Sequence, residues 1–416
     1  MIKIKTYSLG MFTAFVAICL GMTATAQTSL QDINQSLRYS RYSRLSLKVI
    51  PIKESDRTFR LQMVAEKLEE SPEFANYLFS YSIVGNFQEG ITEEKIIALE
   101  EADLKRNTDS HYLFEETVEV PADQETAYVV FWAKDVRQGD EYVHHTDLIS
   151  PFIFDLPDFG AYYGNGLPFD QSFLNINNAL LFERNEGIEG INLYSFFYPQ
   201  EFSVPLPPME TKPAAIPKEV AVVNDGSFLI NAPKTFDRVG YYFIQSDTAS
   251  AAGLLVKTVE ESFPNVPSYE EMVNMVAYIS TRKEHETLQA AENKKIALDH
   301  YWINMVKDEE KAKALIREYF RQVEFANILF TDYKEGWMTD RGMIYIVLGP
   351  PQEVYFNADR ETWIYDSLNS NSKITFTFAR VKNILTPNHY VLNRLRSYQP
   401  EWFKSITLWR SGSMAF

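Results

Sequence analysis

Cysteine is nearly absent from this 416-residue chain: Cys19 carries the one thiol. Disulfides, thiolate metal sites and a cysteine nucleophile in the body of the protein are thereby excluded. Beyond the first two dozen residues, no segment approaches the roughly 18 uninterrupted apolar residues that a spanning helix needs, so no transmembrane span is expected there. Basic charge is scarce as well, 40 Lys and Arg against 56 Asp and Glu, for a net charge of −16. A nucleic-acid partner, which requires a cationic footprint for phosphates, is excluded. The sequence also lacks H-E-x-x-H, an Asp-rich calcium loop, a G-x-S-x-G elbow and an S-x-x-K with its partner motifs. His144 and His145 are neighbours in an expected strand and so point to opposite faces; His285 and His300 are fifteen apart, and His111 and His389 stand alone. Gly160, Gly164 and Gly166 lack the strand-to-helix context of a phosphate loop. No metal and no cofactor are expected.

What is present begins with an export signal. Lys3 and Lys5 precede an uncharged run from Met11 to Met22, then Ala24-Thr25-Ala26, whose small residues suit cleavage after Ala26. Cys19 follows Ile18, where a lipoprotein peptidase takes a small residue, so it reads as filling of the signal's apolar run. The expected address is the periplasm or the outer-membrane periphery. Residues 27–44 read as an arm in which Arg38, Arg41 and Arg44 alternate with Tyr39 and Tyr42, suited to meeting an acidic surface.

Alternation then predicts a multidomain chain, mainly β followed by α+β. Candidate strands at 45–50, 58–68, 77–84, 112–120, 127–133 and 142–149, separated by turn-forming residues, predict an immunoglobulin-like β-sandwich over 45–155. Asp155–Gly166, rich in Pro, Gly and aromatics, reads as a boundary. A second β-rich module is expected over 167–262, with strands at 180–183, 193–198, 220–223, 227–230, 241–245 and 254–258. Five prolines between 205 and 217 interrupt it, and such density holds a backbone extended as a stiff strap; a ligand for a polyproline reader is the other reading. Ser268 and Glu271 form a capping-box pattern, and the stretch to Tyr333 has no Pro or Gly, predicting two or three antiparallel helices with Ile296, Trp302, Ile303 and Val306 on one stripe. Strands are expected at 343–348, 362–365, 374–379 and 390–392, giving helices packed on a small antiparallel sheet over 268–416.

One motif is specific. Gly336-Trp337-Met338-Thr339-Asp340-Arg341-Gly342 is followed by Gly349-Pro350-Pro351 and by Trp363-Ile364-Tyr365. This resembles the GWxTD-domain family of exported bacterial proteins, seen mainly in Bacteroidetes, and the resemblance implies no particular reaction. Turn chemistry accounts for the residues without a substrate. Gly336 suits the left-handed end of a helix, Trp337 a plug over its last turn, and Gly342 a backbone angle that side chains resist. Thr339 and Asp340 are placed to accept amides of the following turn, Arg341 to pair with Asp340 or Asp332, and Gly349-Pro350-Pro351 to stop the strand that the turn delivers.

From Ser367 onward, seven cations face Glu401 alone. Arg394, Arg396, Tyr398, Trp402, Lys404, Trp409 and Arg410 therefore read as a candidate interaction surface for lipid headgroups, cell-wall polymer or a protein, or as an internal contact with the acidic sandwich. The function expected is a non-catalytic binding or scaffolding component of the cell envelope, working through a protein partner or envelope polymer. The alternative is an envelope hydrolase with a carboxylate site near Asp340.

Overall fold

Alternation with one face buried is what turns the N-terminal third into strands. In the computed structural model, which describes residues 28–68, 72–184, 191–199, 202–211, 221–266, 268–368 and 371–414, eight of them form two four-stranded sheets. They are β1 (Leu45–Lys53), β2 (Thr58–Lys67), β3 (Tyr77–Val84), β4 (Ile97–Leu99), β5 (Leu104–Asn107), β6 (His111–Glu119), β7 (Ala127–Asp135) and β8 (Glu141–Ile149). The sheet orders β1-β2-β6-β5 and β4-β3-β7-β8 are those of an immunoglobulin-type sandwich with one added strand beside the third. Leu47, Phe59, Leu61, Phe79, Phe114 and Phe131 fill the space between the sheets. The export signal lies outside the described residues.

Strand β7 is buried on both faces, and that decides the architecture. Val129 and Phe131 point into the sandwich, whereas Tyr128, Val130 and Trp132 join the core of the C-terminal domain. The sandwich is therefore the middle layer of the molecule. Its other sheet carries the second module: Gln62 donates to the Tyr162 hydroxyl (2.7 Å), and the Lys53 amide donates to the Pro157 carbonyl (2.9 Å).

That module comprises β9 (Gly160–Tyr162), β10 (Leu174–Asn175), β11 (Ala179–Glu183), β12 (Asn192–Tyr198), β13 (Val223–Leu229), β14 (Pro233–Thr235), β15 (Gly240–Gln245) and β16 (Leu254–Val259). They form sheets β10-β16-β15-β12-β13 and β14-β11-β9 around Phe182, Phe236, Tyr242 and Val256. Two sequence expectations shift. The segment read as a boundary contains β9, whose Ala161 is part of this core. A single strand, β13, spans the positions from 223 onward that were read as two strands, while residue 220 lies outside the described residues, as do Pro213 and Pro217 of the strap.

The C-terminal domain has six α-helices among the described residues: α1 (Tyr269–Met275), α2 (Arg282–Ala290), α3 (Lys294–Val306), α4 (Glu309–Phe330), α5 (Asp340–Leu348) and α6 (Gln399–Ser411). They cover an antiparallel meander of β17 (Glu353–Asn357), β18 (Arg360–Asp366), β19 (Lys373–Arg380) and β20 (Tyr390–Leu392). Ser268 does cap α1, accepting the Glu271 amide at 3.2 Å. The stripe assigned to α3 holds in part: Trp302 and Val306 pack on the core, but Ile296 and Ile303 face solvent, and Leu298 and Tyr301 complete the buried side.

The basic arm lies across this joint. Leu30 is fully buried, the Gln35 amide donates to the Val354 carbonyl (2.8 Å), and Arg41 and Arg44 pair with Glu318 and Asp135. Arg380 of β19 grips Asp147 of β8 through both guanidinium ends, with both side chains buried. Arg380→Ala strands a buried carboxylate and is expected to cost about 3–5 kcal/mol in urea unfolding, whereas the Asp147→Asn/Arg380→Met pair should recover most of that loss.

Candidate functional site

The sequence run Met343–Leu348 looks like a strand because it is uniformly apolar and rich in branched residues, yet it forms most of helix α5. Every residue from Arg341 to Val347 is buried. A helix buried all round shows no 3.6-residue period, so periodicity alone cannot distinguish it from a core strand. The Gly-Trp-x-Thr-Asp motif is thus the entry to a central helix, and the turn-to-strand expectation is overturned.

Each motif residue has a defined place. Gly336–Met338 form one 3-10 turn, and Thr339 is the N-cap of α5, its hydroxyl accepting the Gly342 amide (2.9 Å) and donating to the Gly336 carbonyl (2.8 Å). Gly336 does not take a left-handed angle; α4 ends earlier, at Phe330. Its lack of a side chain matters for another reason: a Cβ there would lie 1.8 Å from the Ala326 carbonyl oxygen. Gly342 is constrained in the same way, 1.9 Å from the Gly336 oxygen, and its backbone angle is ordinary. Trp337 is buried, with its amide on Asn327 Oδ1 (3.0 Å) and its carbonyl accepting the Tyr278 hydroxyl (2.6 Å). Gly349, at φ +84°, closes α5, and its carbonyl accepts the Tyr365 hydroxyl (2.8 Å) before Pro350 and Pro351 turn the chain into β17.

Asp340 is engaged through both carboxylate oxygens. Its oxygens accept Arg394 Nη2 (2.6 Å), Arg394 Nη1 (3.1 Å) and the Leu392 amide (2.8 Å), and its side chain is 10% exposed. The amide it accepts belongs to β20, not to its own turn. Arg341 pairs with neither Asp340 nor Asp332: it donates to Glu361 Oε2 (3.1 Å) and the Asn388 carbonyl (3.1 Å) beneath the Tyr390 ring.

Glu361 is the site residue that sequence reasoning missed. This fully buried carboxylate accepts Arg341, the Tyr39 hydroxyl (2.6 Å) and Trp363 Nε1 (2.6 Å). The signal was available, because Glu361, Trp363 and Tyr365 alternate on one face of a strand, and an acid among two core aromatics demands buried donors. Burial drives the Tyr39 hydroxyl far above its usual range, so it stays a donor to Glu361.

Beside this network, burial raises the Asp332 carboxyl to about 6, and burial together with Lys334 and Arg341 lowers His389 to about 4. Asp332 accepts the Lys334 amide at 3.0 Å.

The proposed C-terminal surface is largely internal. Tyr398, Trp402 and Trp409 are buried, Trp409 donating to the Val347 carbonyl (3.0 Å). Arg394 is bound to Asp340, and Arg410 to Glu284 (2.7 and 3.0 Å). Arg396 and Lys404 remain exposed. The internal-contact alternative holds at Arg380, one of the seven cations of this stretch, which pairs with Asp147 of the sandwich. Among the described residues no group of three or more His, Cys, Asp or Glu side chains is placed to hold a metal ion. An open cleft of about 440 Å³ between Asp32 of the arm and Tyr355, Asn357 and Arg360 lies away from Asp340.

With the capped central helix and its partners in view, the sequence matches the GWxTD domain family across residues 240–411. The chain carries a GWxTD domain. The match begins at β15, ahead of the first helix, so the β15–β16 hairpin falls within it. A comparison with curated proteins finds no match.

Gly336→Ala forces side chain against backbone inside the GWxTD domain, and a loss of at least about 2–3 kcal/mol is expected in chemical denaturation. Gly164→Ala, with open space around it, should stay within about 0.5 kcal/mol of wild type. A second expectation concerns pH. Below about pH 3, Asp332 is protonated folded and unfolded and contributes nothing; as pH rises toward 6 the unfolded chain ionises first, so this residue's burden on stability grows and then levels off. Asp332→Asn, which keeps the acceptor for the Lys334 amide, should match wild type at about pH 3 and be the more stable protein at about pH 7.5.

Proposed function

We propose that this protein is a non-catalytic binding or scaffolding component of the bacterial cell envelope, exported by its N-terminal signal and acting at the periplasm or outer-membrane periphery. The observation that carries this reading is the occupation of Asp340 by Arg394 and the Leu392 amide. A hydrolase reading asks that carboxylate for a free oxygen beside an open cleft, whereas both of its oxygens already accept hydrogen bonds, from one guanidinium and one backbone amide. The motif's chemistry is devoted to holding α5 in place, which suits a protein whose product is a rigid surface.

The edge of the second module offers such a surface. Val222, Val223 and Leu229, at and beside β13, are 53%, 45% and 54% exposed, and Tyr194 on β12 is 40% exposed. A sheet edge with that much apolar surface is suited to protein contact.

A photo-crosslinker placed at Leu229 should capture an envelope protein in the native envelope. Val223→Lys with Leu229→Lys, at an unchanged melting temperature, should reduce binding of that partner at least about tenfold. Recovery of glycan or small-molecule ligands alone counts against a protein partner.

A further inference from the structure

Among the described residues, the stretch 202–209 between β12 and β13 lies against the GWxTD domain. The Phe202 ring meets Tyr333 edge-on, with centroids 4.8 Å apart. The Ser203 carbonyl accepts Lys334 Nζ (3.5 Å), the Leu206 carbonyl accepts Arg394 Nη2 (2.9 Å), and the Pro208 carbonyl accepts the Leu395 amide (3.2 Å). Val204 and Met209 pack on the domain's core, and Pro208 is buried. Carbonyls held by fixed donors, spaced apolar side chains in seats, and prolines that pre-extend the backbone are how an extended peptide is recognised.

The donors belong to the motif's own network. Arg394 is oriented by the two oxygens of Asp340, leaving Nη2 to serve the Leu206 carbonyl as well. Its Nε is buried without a hydrogen-bond partner among the described residues.

We propose that the groove between Tyr333–Lys334 and Arg394–Leu395 is a reader of extended, proline-containing apolar peptides, occupied in cis by residues 202–210. Release of the strap opens it to a segment of the same chemistry from an envelope protein. This rests on the binding role proposed above and gives Asp340 a specific part in it, as the positioning residue for Arg394. Occupation in cis suppresses binding in trans, because a tethered segment acts at an effective concentration on the order of millimolar.

The test titrates a fluorescent peptide of residues 202–210 against the full chain and against a variant with 202–208 replaced by Gly and Ser, read by anisotropy. The released variant is expected to bind at least about tenfold more tightly than wild type. Adding Arg394→Lys, which keeps a charge beside Asp340 but loses the guanidinium fork, should weaken that binding at least about fivefold. Should the full replacement not melt cooperatively, Val204→Ser with Pro208→Gly serves as the released form. Equal affinity of wild type and released protein, no binding by a cooperatively folded released form, or no effect of Arg394→Lys overturns the proposal. Because the probe is the chain's own segment, such failure removes the groove and leaves the β13 crosslinking result to judge the envelope-partner reading.

Discussion

A single buried carboxylate sets the terms for the C-terminal half of this molecule. Glu361 is fully buried, so its charge must be met by donors brought from elsewhere, and each comes from a different part of the chain: Tyr39 from the arm, Arg341 from the motif helix, Trp363 from its own strand. Removing any one partner leaves part of the carboxylate uncompensated in a low-dielectric interior, a penalty that can reach about 3–5 kcal/mol for an ion pair. The network thereby ties arm, helix and sheet into one cooperative unit, and the tilt of α5 is bound to the register of β18.

The sandwich plays the complementary part. Because β7 is apolar on both faces, the layer between the two outer modules has no solvent side at that strand, and the Arg380–Asp147 pair sits where sandwich and GWxTD domain meet. The three parts read from sequence as separate domains are therefore in extensive contact, through apolar cores and through charges that find their partners only across the boundary.

Legibility in the sequence followed the range of the interaction. Strands such as Leu45–Lys53 and the first five residues of Tyr77–Val84 were readable because there one face is buried and the other less so, which leaves an alternating trace. The helix Asp340–Leu348 left none, since all its sides are covered, and its cap has Gly342 where a capping box would have an acid. Thr339 as a backbone acceptor was local chemistry and could be read. The partners of Arg341, Arg394 and Arg410 lie 20, 54 and 126 residues away, and nothing in neighbouring residues announces them. Trp402 and Trp409 suggested a surface because cations flank them, yet their spacing of seven puts both on the inner side of α6.

The arm has one more implication, for the order of events in synthesis. Tyr39 emerges early, but its acceptor Glu361 lies 322 residues later, and its carbonyl waits for Tyr345, 306 residues on. Contacts of such separation form late, because the intervening loop must first be closed. The first segment of the described chain is thus among the last to be locked, and a product that stops short of β18 lacks the group that fastens it.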